Sequence, residues 1–220
     1  MAYFRWRRAM ELAALDRPWV GELLLRRRFE KPKFTPSEGW NAEYERGEYD
    51  RLVRTEQRHH HRLLAGLITD GRQATKVLEI GCGEGVFLES LKSHQGVTYL
   101  GVDISSVAIE RARARFAKEI AAGTVRFEVG DGSAYPAHEN FDAIVFPECI
   151  EYLNDIVEVM DHYARFLKTG GQIGLSQWMG ARPLRLWRRL KAWGKVTNQA
   201  VVSADWGGAW LVATLAPRRD

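Results

Sequence analysis

Val77-Leu-Glu-Ile-Gly-Cys-Gly-Glu-Gly85 runs four strand-forming residues into a turn with glycine at 81, 83 and 85, directly ahead of a helical stretch at 86–92. Glycine there lets backbone amides approach a ligand closely, and the start of the helix adds a partial positive charge. Outward from this turn, short apolar runs alternate with helical stretches, the pattern of a parallel sheet wrapped by helices. Strands are predicted at 77–80, 98–102, 125–129, 141–146 and 172–177, with helices at 86–92, 106–121 and 155–167. The last helix carries Ile156, Val159, Met160, Tyr163, Phe166 and Leu167 on one stripe and is expected to stop at Gly170-Gly171. A Trp-rich helix at 184–193 precedes strand-like runs at 199–204 and 209–215, which flank Asp205-Trp206-Gly207-Gly208 as a hairpin turn.

The 220 residues, 45% of them apolar, suffice for one α/β domain with its own core. No run reaches the roughly 18 apolar residues of a membrane span, and no apolar secretory block opens the chain, so a cytoplasmic location is expected. The two cysteines, Cys82 and Cys149, sit in apolar segments without metal-ligand spacing, which argues against disulfides and zinc. The net charge of +4 is concentrated at the front: residues 1–35 hold nine Arg/Lys against four Asp/Glu, and the rest is nearly neutral. Residues 1–37 therefore read as a basic amphipathic helical extension, suited to peripheral contact with an anionic membrane or phosphates or to packing. Residues 38–220 form the main domain, with front helices at 38–70 and the core at 76–217. In the front region Leu52, Val53, Leu63, Leu64, Leu67 and Ile68 share a helical face that ends at Gly71.

Asp103 ends the second strand in Gly-Val-Asp-Ile-Ser, where a carboxylate accepts the two ribose hydroxyls of a nucleoside. A nicotinamide-binding fold places an acid at the same point, so the glycine turn and Asp103 alone fit either cofactor. Asp131, after the third strand in Gly-Asp-Gly-Ser-Ala, adds a second acid at the sheet edge, placed to accept from an adenine amino group. That favours S-adenosylmethionine.

These pieces resemble the class I S-adenosylmethionine-dependent methyltransferases, in particular the small-molecule group of types 11 and 12. The matching motifs are the glycine stretch at 77, Gly-Val-Asp-Ile-Ser at 101, Gly-Asp-Gly-Ser-Ala at 130, Phe-Asp-Ala-Ile-Val-Phe-Pro-Glu-Cys-Ile-Glu-Tyr-Leu at 141 and Leu-Lys-Thr-Gly-Gly at 167, in the family's order. The resemblance implies a Rossmann-like, doubly wound α/β fold: a seven-stranded, mostly parallel sheet with an antiparallel C-terminal strand, plus N-terminal helices. It also implies that Gly81, Cys82 and Gly83 line the methionine part of the cofactor, with Glu79, Gly85 and Tyr44 also in the cofactor site. Asp103 then holds the ribose, Ile104 packs on adenine, Asp131 with Gly132 reads the adenine edge, and Phe146 with Pro147 flanks the sulfonium. Cys82 fills space rather than acting as a nucleophile, since methyl transfer needs no covalent intermediate. Trp40-Asn-x-x-Tyr44 and Tyr49 resemble the opening of bacterial sugar methyltransferases, in which a front helix closes over the cofactor.

An acceptor hydroxyl needs a base within hydrogen-bond reach. Glu148, after the fourth strand, is the first candidate; Glu151 and a histidine of the 59–61 run, His60 by its place on the apolar stripe, are the others. Glu148-x-x-Glu151-Tyr152 resembles a metal-binding Glu-x-x-Glu-His element but has Tyr for the His, so a divalent metal is not favoured. Gln177, Trp178 and Tyr152 are expected at the acceptor mouth, where flat rings suit a sugar or aromatic ligand. Phe146-Pro-Glu-Cys lacks the Asn/Asp-Pro-Pro-Tyr element of nucleic-acid amino methylation, which leaves a small molecule, possibly a saccharide, as the acceptor. An N-methyltransferase on an amine, a nicotinamide oxidoreductase and a non-catalytic cofactor-binding protein are the competing readings.

Overall fold

A computed structural model of the chain describes residues 6, 8–10, 12–13, 36–50, 58–179, 181–204 and 208–218. Helix α1 (Ser37–Glu45) and helix α2 (Arg58–Thr69) precede strand β1 (Thr75–Ile80). Then come α3 (Leu88–Leu91), β2 (Val97–Asp103), α4 (Ser106–Arg115), α5 (Ala117–Ala121), β3 (Val125–Val129) and β4 (Phe141–Pro147). A 3-10 turn (Ile150–Tyr152) leads into α6 (Ile156–Ala164), β5 (Leu167–Trp178), α7 (Ala181–Trp193), β6 (Gly194–Ser203) and β7 (Ala209–Pro217).

The strands form one seven-stranded sheet in the order β3-β2-β1-β4-β5-β7-β6. β1 to β5 run parallel, and β7 pairs antiparallel with both β5 and β6. The order reverses at β1, between β2 and β4, and in an open α/β sheet that switch point opens a crevice at the carboxyl ends of the strands. Because side chains alternate across a strand, β1 sends Leu78 and Ile80 to the core under α6 and α7, and Val77 and Glu79 to the core under α2 to α4.

Three elements depart from the expected pattern. The helix at 106–121 breaks at Phe116, whose ring is fully buried against Phe127 and beneath Gly85. Burying that ring outweighs one more helical hydrogen bond. The helix expected to reach Leu167 ends at Ala164, because Leu167 already pairs with Phe141. Gly170, at φ +76°, lies in a bulge inside β5 rather than at a helix cap. β6 starts at Gly194, earlier than the run at 199–204, directly after α7. Of the expected hairpin turn, Asp205, Trp206 and Gly207 lie outside the described residues; the Ala204 N–H donates to the Gly208 carbonyl at 2.8 Å across it. Most of residues 1–37 also lies outside them, and among those described Met10 and Ala13 pack on the α6–α7 core. No helix among the described residues is long and apolar enough to cross a membrane.

Candidate active site

The crevice at the switch point holds a cavity of about 410 Å³. Its floor is the turn after β1. The Gly81 and Cys82 N–H groups both donate to the Val102 carbonyl, at 2.8 and 3.1 Å, which folds the turn back over β2. Gly81 and Gly83 have φ of +70° and +51°. A Cβ on Gly81 would stand 2.4 Å from Cys149 Cβ, and one on Gly83 2.6 Å from the Tyr44 hydroxyl, so only glycine fits at either place.

Asp103 ends β2 with both carboxylate oxygens engaged. Oδ2 accepts from Gly83 N–H at 2.8 Å and Oδ1 from Ser105 N–H at 2.9 Å, so one side chain fixes the glycine turn and the start of α4. Burial pushes its pKa up, against the pull of those N–H groups. Glu79 is buried behind the turn, where Tyr99 Oη donates to Oε2 at 2.5 Å; burial raises its pKa well above the usual range. Asp131, at the end of β3, is exposed at the cavity edge and accepts from Ser133 N–H at 2.8 Å. Ile104 and Gly132 line the wall between these acids.

Over this floor α1 packs on α4, pinned by Asn41, whose Oδ1 accepts from the Ser105 hydroxyl at 2.7 Å. It sets Trp40, Tyr44 and Tyr49 across the cavity, with ring centroids 4.7 Å apart for the tyrosines and 5.1 Å for Trp40 against Tyr152. Burial, reinforced by the Asp103 charge, pushes Tyr44 up and keeps its hydroxyl protonated.

The far wall comes from the ends of β4 and β5. Glu148 follows β4 with φ +60°, the one non-glycine residue with positive φ among those described. Its Oε2 accepts from Trp210 Nε1–H at 3.3 Å, whereas Oε1 is buried with no partner. Burial, with a smaller contribution from Glu151, pushes its pKa up to about 8. Glu151, Tyr152, Trp178 and Pro147 share this wall, and Trp178 meets Trp210 edge-on at 5.1 Å.

The cavity thus gathers Trp40, Tyr44, Tyr49, Glu79, Gly81, Cys82, Gly83, Asp103, Ile104, Asp131, Gly132, Pro147, Glu148, Glu151, Tyr152 and Trp178 from the residues singled out in the sequence. Four others lie off its wall. Phe146 points to the opposite face of the sheet, packed edge-on against Tyr163 at 5.4 Å, because its neighbour Pro147 takes the cavity side. Gln177 is turned away by the same alternation, leaving Trp178 on the cavity. Gly85, at φ +77°, makes room for Phe116 and Phe127. His60 stacks on Trp210 at 4.8 Å, and His61, the next residue, reaches the cavity instead. Glu84, Phe87, Ser133 and Cys149 are wall residues that the sequence reading did not assign to the site, and within the 59–61 histidine run that reading preferred His60 over His61. Among the described residues no His/Cys/Asp/Glu cluster could hold a metal ion.

Residues 77–171 match a family model described as a methyltransferase domain. Nocamycin O-methyltransferase of Saccharothrix syringae is 34% identical over 141 residues, 62% of this chain and 48% of that protein. Nodulation protein S of Rhizobium tropici is 31% identical over 153 residues, 68% of this chain and 59% of that protein. The chain therefore spans about half the length of the curated relatives it matches. Among solved structures, N-methyltransferase NodS from Bradyrhizobium japonicum in complex with S-adenosyl-L-homocysteine aligns with a TM-score of 0.64 at 20% identity, covering 79% of this chain and 98% of that one. A SAM-dependent methyltransferase from Geobacter sulfurreducens in complex with S-adenosyl-L-homocysteine aligns with a TM-score of 0.58 at 16% identity, over 72% of this chain and 90% of that one. At these identities the structural likeness speaks for the fold.

Proposed function

Since this chain carries a methyltransferase domain of the class I, S-adenosylmethionine-dependent superfamily, we propose that it methylates a hydroxyl of a small-molecule acceptor, with a carbohydrate as the preferred class and the cytoplasm as the place. The cavity suits the donor. Its 410 Å³ lies within the roughly 300–1,000 Å³ of sites that bury small ligands, and its floor combines a glycine turn with buried Asp103 and edge-lying Asp131. When bound, S-adenosylmethionine would supply an electrophilic methyl carbon on a positively charged sulfur.

In this reading Asp103 holds the ribose, Ile104 and Gly132 flank the base, and Asp131 meets its amino edge. Tyr44 and Trp40 close the front and exclude water, which favours positioned reaction over hydrolysis. Trp178 and Tyr152 offer flat faces to a saccharide or aromatic ring. The observation that carries the reading is Glu148: a cavity-wall carboxyl with a vacant buried Oε1 and a pKa of about 8. Such a group takes the acceptor's proton as the oxygen forms its new bond to carbon, and returns it to water afterwards. A second reading, N-methylation of a small amine, draws on the likeness to nodulation protein S.

The test is thermal melting with S-adenosyl-L-homocysteine and with reduced nicotinamide dinucleotide, followed by labelled methyl transfer to panels of hydroxylated and amine acceptors. Protection by the first ligand alone, with O-methylation that rises through about pH 8, is expected. Protection by the dinucleotide alone would overturn the proposal, and transfer confined to amines would replace it with the second reading.

A further inference from the structure

The cavity wall is acidic. Its described residues include Glu79, Glu84, Asp103, Asp131, Glu148 and Glu151 and no Lys or Arg. S-adenosylmethionine and its product each carry a carboxylate on an amino-acid tail, and a carboxylate leaving water needs a donor or a cation to meet it. One imidazole stands among the described wall residues, that of His61. It is 6% exposed, and neither ring nitrogen has a partner. Unpartnered buried nitrogens destabilise the empty site, and a ligand that bonds them relieves this. The ring meets Phe87 edge-on at 5.7 Å, just past the glycine turn that the cofactor reading gives to the amino-acid end.

Resting on the cofactor reading above, we infer that His61 takes up a proton from solvent as the cofactor binds and pairs, as an imidazolium, with its amino-acid carboxylate, so that cofactor affinity is set by pH. Burial holds free His61 down to about 4, and it enters the complex neutral unless the carboxylate raises it. Burial is the single cause of that shift. The charged residues of the elements packed on α2, namely Glu89 of α3, Lys168 of β5 and Lys195 of β6, contribute nothing to it, and β7 has none. On α2 itself, His60 lies 4.3 Å away and is pushed down to about 2 by burial first and then by His61 and His59, so it stays neutral. Across the cavity stand Glu79, Glu84, Asp103, Glu148 and Glu151, and none of them contributes to the shift of free His61 either. Affinity then falls as pH rises, by up to about tenfold per pH unit where a whole proton is taken up.

The test is calorimetric titration of S-adenosyl-L-homocysteine into the whole chain at about pH 6, in buffers of low and high ionisation heat. Wild type should show proton uptake that shrinks as pH rises, along with its affinity. H61Q should show none and bind roughly ten- to a hundredfold more weakly, the loss of one bond to a charged group. H61R should bind about as tightly as wild type at low pH, with no proton uptake and no pH dependence. 5′-Methylthioadenosine, which keeps the adenosyl group but lacks the amino-acid tail, should bind wild type and H61Q alike. Binding of the homocysteine product without proton uptake, or uptake that persists in H61Q, would overturn the inference. Should H61Q not fold, the wild-type comparison of the two ligands and two buffers decides the matter alone. A wild type that binds neither ligand would instead sink the cofactor reading on which this one rests.

Discussion

Glu148 offers the sharpest single test, because its ionisation works against the fold. Its carboxyl is pushed from the usual 4.5 to about 8, chiefly by burial. A raised carboxyl binds its proton more tightly in the native state than in the unfolded chain. Stability is therefore greatest below about pH 4.5 and declines as pH rises, until the native group itself ionises near 8. At about 1.4 kcal/mol per pH unit, the loss across that window approaches roughly 5 kcal/mol. Glu148→Gln keeps an oxygen for the Trp210 N–H and stays neutral at every pH, so it removes the penalty. For a chain of this size about 1 kcal/mol moves the melting point by roughly 2–4 °C. The residue is partly exposed, which lets water share the charge, so the lower end applies: E148Q should melt about 10 °C higher than wild type near pH 8.5. The gap should close near pH 4.5. Paired melting curves from pH 4.5 to 9 check this. A gap that does not change with pH would refute the reasoning, as would wild type melting higher at pH 8.5.

Asp103→Asn should weaken binding of S-adenosyl-L-homocysteine by roughly ten- to a hundredfold in calorimetry, because an amide cannot accept from both Gly83 N–H and Ser105 N–H; unchanged affinity would remove Asp103 from the site. Trp210→Phe deletes the N–H that favours ionised Glu148, so the rising limb of the kcat/KM profile should move above its wild-type midpoint near 8. An unmoved midpoint would show that the contact does not tune Glu148.

Legibility in the sequence followed the range of the interactions involved. The glycine turn, Asp103 and Asp131 could be read because each depends on residues within a few positions: a strand end, a turn that only glycine can make, an acid that caps the next element. The antiparallel C-terminal strand followed from the family resemblance, not from local physics, and the order of the strands was not read from the sequence. Phe146 against Pro147 and Gln177 against Trp178 turned on which face of the sheet each strand gives to the cavity. A period of two states that neighbours differ, without stating which one faces the ligand. For Pro147 a signal was available, since Ile144 and Phe146 alternate with Val145 and Pro147. The histidine run posed the same problem on a helix. At about 100° per residue, His60 and His61 both fall on the stripe with Leu64, Ala65 and Ile68, and both are buried. Trp210, 150 residues further along, takes the face of His60, and no spacing within α2 could show that. The front cluster of Trp40, Tyr44 and Tyr49 needed the docking of α1 on α4 through Asn41 before its place over the glycine turn was fixed.

Three separate departures from what stabilises a fold meet at Glu148. A non-glycine residue at φ +60° is held in a left-handed conformation that costs on the order of 1 kcal/mol or more. A buried oxygen without a partner adds about 1–3 kcal/mol. A carboxyl driven to a pKa of about 8 destabilises the native state at neutral pH. Glycine would relieve the first, and an apolar side chain the other two, without disturbing the ladder that runs from Phe146 and Pro147 to Leu175 and Ser176. Strain of this kind persists where the surroundings impose it, and here they do. Glu148 N–H is tied to the Ser176 carbonyl at 2.8 Å, and Oε2 is held by Trp210, which His60 backs face to face. Packing alone gives no reason to hold an acid so firmly in so unfavourable a state. The role of proton acceptor proposed for it does, since such a group must be shielded enough to be basic and held firmly enough to be aligned.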